Sequence, residues 1–184
     1  MTAPNLQVII PAGGKSPTMN SDKPDVLHEM LSRTLLDWSI VNALSLGPNR
    51  IIVSCEADCF DEIQEAVEDF DYRGDPIEVV TGDKQTGWAA VLEGAVDMCR
   101  GSGGYSLFMP ARVPNMRINV LREFIDRLET SPQPLGVLTT EPAEKFEHNR
   151  LVVRDDDLNI SGLAKDMSHE KPVSGHARLS ENHE

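Results

Sequence analysis

Apolar positions along the chain come in short bursts separated by longer amphipathic stretches. Leu6-Gln-Val-Ile-Ile-Pro11 is the first burst, and it ends in Ala12-Gly13-Gly14. A short run with no polar face, closed by a glycine turn, predicts a parallel strand buried on both sides. Arg50-Ile-Ile-Val-Ser54, Ile77-Glu-Val-Val80, Tyr105 to Met109 and Leu135 to Thr139 predict further strands. Between them, helical periodicity covers Thr34 to Leu46, Cys59 to Phe70, Thr86 to Cys99 and Ile118 to Leu128. Thr34 and Asp37 have the spacing of a capping box, and Leu35, Trp38, Val41, Ala43 and Leu44 form the expected buried stripe of that helix. Gly47-Pro48 stops it. Residues 15–31 form a polar connection in which Pro17 and Pro24 exclude a regular helix.

This alternation predicts an α/β fold, a Rossmann-like three-layer α/β/α arrangement around a mostly parallel sheet. Ligands of such sheets bind at the carboxyl ends of the strands, near the point where strand order reverses. The 12–24 loop and the segment after Met109 are thereby assigned to the site. Further on, Arg150-Leu-Val-Val153 and Leu158 to Leu163 predict a hairpin around Asp155-Asp-Asp157. From Ser168 the chain is polar and irregular and carries three histidines. The expected organisation is one domain over 1–167 and a tail over 168–184, serving as a mobile end or as an arm for another copy or a partner subunit.

The 184 residues, 40 % of them apolar, suffice for one domain with a real core. No apolar run reaches the ~18 residues of a membrane span, and the first residues lack the charge pattern of a signal peptide. A cytoplasmic location is the expectation. Thirty acidic against 17 basic residues leave a net charge of −13, which disfavours nucleic acid and anionic membranes as partners. Cys55, Cys59 and Cys99 are too few, and wrongly spaced, for a disulfide framework or a metal set, so free thiols are expected.

After the first strand, Ala12-Gly13-Gly14-Lys15-Ser16 can wrap backbone N–H groups around a phosphate, with Lys15 and Lys23 supplying charge. Taken by spacing alone the signal is weak, because two glycines after a strand more often make a simple turn. Neither the Walker A spacing nor the G-x-G-x-x-G pattern is present.

Pro11-Ala-Gly-Gly-Lys-Ser-Pro-Thr-Met-Asn-Ser-Asp-Lys23 resembles the molybdopterin guanylyltransferase signature L-A-G-G-x-S-x-R-M-G-x-D-K. Met19 to His28 resembles the N-acetylglucosamine-1-phosphate uridylyltransferase signature R-M-x-S-x-x-P-K-V-L-H. Phe108-Met-Pro-Ala-Arg-Val-Pro114 stands where these families have a strand ending in G-D-x-P or C-D-x-P. Lys84 to Val91 is a blurred Q-x-x-G-T-x-x-A, and Asn149 to Asp155 with Ile160-Ser-Gly162 is similar to Y-G-R-I-V-R…I-x-G-I-V-E. The similarity runs from residue 6 to about 166. It implies the nucleotidyltransferase fold and transfer of a nucleotidyl group from a nucleoside triphosphate to a sugar phosphate.

The resemblance assigns Ala12 and Gly13 to the base edge, Gly14, Lys15 and Ser16 to the triphosphate, Lys23 to a phosphate and Gly87 to the base. No catalytic residue is identified, and Lys15 and Lys23 are the best candidates. Three departures affect charge. Thr18 replaces the arginine that neutralises the leaving pyrophosphate, Asp25 replaces a lysine, and Arg112 replaces the aspartate that holds Mg²⁺. Arginine cannot ligate a metal but can face phosphate oxygens, so Arg112 joins the nucleotide-binding candidates and no residue is assigned to a metal. Mg²⁺ is expected only if catalysis survives. The alternatives to an active transferase are a catalytically inactive relative that binds a nucleotide or nucleotide sugar, and an interaction protein. Structural roles are expected for Asp22, His28, Trp88 and Asp155–Asp157.

Overall fold

The computed structural model describes residues 5–16, 19–70, 77–82, 88–101, 103–130, 150–154, 160–165 and 178–179, with the backbone alone for 88–90 and from 150 on. The chain forms two compact units, Met1–Leu121 and Arg122–Glu184.

The first unit opens with strand β1 (Leu6–Gly13). A three-residue 3₁₀ turn at Asp25–Leu27 follows, then a small hairpin of β2 (Glu29–Met30) and β3 (Arg33–Thr34). Helix α1 (Leu35–Leu44), strand β4 (Arg50–Cys55), a 3₁₀ turn at Ala57–Cys59 and helix α2 (Phe60–Glu68) come next. Strand β5 (Glu78–Thr81), helix α3 (Trp88–Cys99), strand β6 (Tyr105–Phe108) and helix α4 (Ile118–Thr130) complete the series, the unit boundary falling within α4.

Four strands make one parallel sheet in the order β5-β4-β1-β6. Strand β1 is central, and every residue from Leu6 to Ala12 is buried. Successive side chains of a strand point to opposite faces, so such a strand needs cover on both. Ile9 and Ile52 form one core cluster with Ala95 of α3, flanked by Val80, Met98 and Cys99. The alternate residues Val8, Ile10, Ile51 and Val53 face the other way and are equally buried. This is the mostly parallel α/β sheet expected from the alternation of elements.

The Thr34 capping box forms as predicted: Asp37 N–H donates to Thr34 Oγ1 at 3.0 Å, and Thr34 N–H to Asp37 Oδ2 at 3.0 Å. The buried stripe of α1 is corrected. It consists of Leu36, Ser39, Ile40 and Ala43, and Leu35, Trp38, Val41 and Leu44 are only half-buried. The helix is apolar almost all round, so periodicity fits two adjacent stripes. Tertiary contacts choose between them: buried Ser39 donates its hydroxyl to Ala111 O at 3.1 Å.

The β2–β3 hairpin turns through Leu31 (φ 54°) and Ser32 (φ 63°), both left-handed. Tight hairpin turns favour that geometry, but asparagine and glycine tolerate it far better. Leu31 is 81 % exposed, so its side chain contributes no burial. Leu31→Asn with Ser32→Gly should stabilise the protein by about 1 kcal/mol, a rise of about 2–4 °C in thermal unfolding. An unchanged melting temperature would show that the turn is not strained.

In the second unit β7 (Arg150–Arg154) pairs antiparallel with β8 (Ile160–Lys165), the predicted hairpin. It also pairs with β9 (Arg178–Leu179), a short strand within the segment read as a polar tail. The strand expected over Leu135–Thr139 and the Asp155–Asp157 turn lie outside the described residues. Among the described residues, no helix is long and apolar enough to cross a membrane.

Candidate functional site

Three segments meet at the carboxyl end of β1. The first is the glycine loop. Pairing of β1 with β4 slips between Pro11 and Gly13, and Gly13 takes φ 69°. The chain then leaves the sheet through Gly14, Lys15 and Ser16. Asp25 holds this loop from inside: its N–H donates to Gly14 O at 3.3 Å, and its Oδ1 accepts the Ser16 N–H at 2.9 Å. Asp25 begins the buried Asp25–Leu27 turn, which fixes its position.

The second segment follows β6. Met109 N–H donates to Ile9 O at 2.9 Å and Ala111 N–H to Pro11 O at 3.5 Å, continuing the β1–β6 pairing. Helix α1 adds the Ser39 bond to Ala111 and a bond from Asn42 Nδ2 to Pro114 O at 3.0 Å. Arg112 is carried on this pinned stretch. Its Nη2 lies 2.7 Å from Asp25 Oδ2. A Cβ added to Gly13 would sit 3.6 Å from the same nitrogen, so the guanidinium lies beside the loop. The Asp25 side chain is 6 % exposed and that of Arg112 46 %.

The third segment joins β4 to α2. Glu56 N–H donates to Gly13 O at 3.2 Å. The Glu56 carboxylate rests against Gly14 so closely that a Cβ there would overlap its Oε2. Lys15 Nζ contacts Glu62 Oε1 at 2.9 Å. That hydrogen bond holds the Lys15 pKa above its ordinary value, against the opposing effect of desolvation and with the help of the Glu62 charge. Behind these acids, burial pushes the Cys55 thiol up to about 12 and the Cys59 thiol up to about 11. Both are neutral at physiological pH and are poor nucleophiles.

The structure brings Ala12, Gly13, Gly14, Lys15, Ser16 and Arg112 together at the carboxyl end of β1. Lys23 is not brought in: it is exposed and makes no ion pair among the described residues. Thr18 and Gly87 lie outside the described residues, as does the Trp88 side chain. His28 Nε2 is buried without a hydrogen-bond partner among the described residues. Sequence reasoning missed two features. Asp25 and Arg112 are partners, a relation hinted at by the opposite signs of the two departures. Glu56 and Glu62 reach the loop, where the acidic helix alone suggested only solubility.

The divalent metal implied by the resemblance does not fit these residues. Arg112 stands where the resembled families carry the ligand, and Asp25, the one buried carboxylate among the described residues, is already engaged by a guanidinium and a backbone N–H. Among the described residues, no three His, Cys, Asp or Glu side chains group as metal ligands. What the site offers is the Lys15 ammonium and the Arg112 guanidinium beside the glycine loop, two cations that suit an anionic ligand, with the Asp25, Glu56 and Glu62 carboxylates against them.

A family model described as the MobA-like NTP transferase domain matches residues 8–176. The bifunctional protein GlmU of Cereibacter sphaeroides is 28 % identical over 171 residues, covering 93 % of this chain and 36 % of that protein. GlmU of Novosphingobium aromaticivorans is 28 % identical over 151 residues, 82 % of this chain and 32 % of its own length. The chain thus spans about a third of the length of these relatives. Among solved structures, 4-diphosphocytidyl-2C-methyl-D-erythritol synthase of Anaerococcus prevotii superposes with a TM-score of 0.57 at 16 % identity, over 87 % of this chain and 64 % of that one, which supports the shared fold.

Proposed function

Because the chain belongs to the MobA-like NTP transferase domain family, we propose that its glycine loop seats a nucleotide or nucleotide sugar without a divalent metal, the Arg112 guanidinium supplying the positive charge. The observation that carries this reading is the Asp25–Arg112 pair at 2.7 Å. The two departures from the resembled families are opposite in charge, and in this chain they pair with each other. A guanidinium presents several N–H donors, and the contact to Asp25 engages only one edge. The remaining edge, nearly half exposed beside Gly13, is available to phosphate oxygens.

Nucleotidyl transfer depends on positioning and on neutralising charge that develops on the leaving pyrophosphate. With Thr18 in place of the arginine and Arg112 in place of the metal ligand, that neutralisation is weakened. Binding without turnover follows, and a role in signalling nucleotide-sugar level to a partner suits it.

The test is thermal unfolding with each nucleoside triphosphate and with common nucleotide sugars, in EDTA and in Mg²⁺. A ligand at about 100 times its Kd stabilises by about 2.7 kcal/mol, a rise of roughly 5–10 °C for a domain of this size. The expected result is the same rise in both buffers, lost in Arg112→Gln. A rise seen only with Mg²⁺, or pyrophosphate released from a triphosphate and sugar phosphate, would refute the reading.

A further inference from the structure

The cationic loop is met by acids of its own chain. From Glu56 to Phe70 there is no lysine or arginine, and two residues of this stretch, Glu56 and Glu62, touch the loop. The fold holds both in place. Glu56 donates its N–H to Gly13 O and accepts the Cys59 N–H at 3.0 Å, so its backbone is fixed at both ends. Glu62 stands in the first turn of α2, where unpaired helix N–H groups favour a carboxylate. An incoming phosphate must take Lys15 from Glu62 and lie beside Glu56.

Resting on the loop-binding reading above, we propose that Glu56 and Glu62 act as a charge filter on the glycine loop. They select a hydroxyl-bearing diester of a nucleoside diphosphate, such as a nucleotide sugar, over a free nucleoside triphosphate. Two physical effects act in the same direction. A terminal phosphate adds negative charge next to two fixed carboxylates, which repel it. A sugar hydroxyl instead donates a hydrogen bond to a carboxylate, an acceptor-only group when ionised. The Lys15–Glu62 pair is weak enough to yield, since its side chains are 35 % and 43 % exposed. The acids therefore discriminate between ligands and do not close the site.

The experiment uses the full chain in EDTA at fixed ionic strength, with inorganic tripolyphosphate and UDP-N-acetylglucosamine as probes in calorimetric titrations. Glu62→Gln and Glu56→Gln/Glu62→Gln are compared with wild type, and unfolding scans establish that each variant is folded. Glu68→Gln, at the far end of α2, removes the same charge away from the loop. Wild type is expected to bind the nucleotide sugar more tightly than tripolyphosphate. Glu62→Gln should tighten tripolyphosphate by about fivefold, the scale of an exposed ion pair, and the double variant by more. The nucleotide sugar should be unchanged or weakened, and Glu68→Gln should move neither. An unchanged ratio of the two affinities, or an equal shift in Glu68→Gln, overturns the filter while leaving the loop-binding reading intact. Absence of binding to both probes in every variant overturns both.

Discussion

Replacing Asp25 by alanine is expected to lower the melting temperature by about 5–10 °C. Its side chain is 6 % exposed and serves two donors, the Ser16 N–H and the Arg112 guanidinium. Removing one member of a buried ion pair costs about 3–5 kcal/mol, most of it the desolvated partner left alone. Here Arg112 is 46 % exposed and regains water, which reduces the cost to about 2–3 kcal/mol. Arg112→Asp should be at least as damaging, because it faces one carboxylate with another. Combining Asp25→Lys with Arg112→Asp should recover much of that loss. A double-mutant cycle measured by urea unfolding gives the coupling directly, and contacting charged residues show about 0.5–3 kcal/mol. Strict additivity would mean that the two departures are unrelated, and the account of a coupled pair would fall with it.

Gly104→Ala is expected to cost about 3 kcal/mol, near 10 °C in melting temperature. Gly104 takes φ 81°, and a Cβ there would overlap the carbonyl oxygen of Asn5. That oxygen accepts the Tyr105 N–H at 2.8 Å, the bond that starts the pairing of β6 with β1. Neither backbone can yield without shifting a strand. Gly47→Ala is the control: Gly47 has φ 67° but open space around its Cα, so only the conformational cost of about 1 kcal/mol applies. The difference between the two variants measures the collision. Because β6 leads directly to Arg112, Gly104→Ala should also reduce the nucleotide-induced melting shift, and Gly47→Ala should not. Equal losses in both would place the cost in φ alone.

Much of this fold was legible in the sequence because its strands are buried on both faces. The short apolar run from Leu6 to Ile10, closed by a glycine turn, marks β1, and all five residues are buried. The α1 cap was legible for the same local reason, since Thr34 and Asp37 satisfy each other within one turn. The α1 stripe was misread by one position because a helix with apolar residues on most sides carries no local record of which side is inward. The β2–β3 hairpin was missed because Leu31-Ser32 lacks the residues that normally mark such a turn.

In the site, the glycine loop was readable from its own residues. The Asp25–Arg112 contact was not, because it depends on the register of β6 against β1, which no local pattern encodes. Lys23, which the resemblance assigned to a phosphate, is exposed, and no ion pair among the described residues holds its side chain.

The central place of β1 also bears on how the molecule is made. On one side it pairs with Arg50 to Cys55, on the other with Tyr105 to Phe108. During synthesis the first strand waits for both neighbours, and at about 5–20 residues per second the second arrives after roughly 5–20 s. Through that interval a strand that is buried from Leu6 to Ala12 in the finished fold is without its full cover. The glycine loop, suspended from its end, acquires Arg112 only after β6 has left the ribosome. Ligand recognition is thus a late product of the nascent chain.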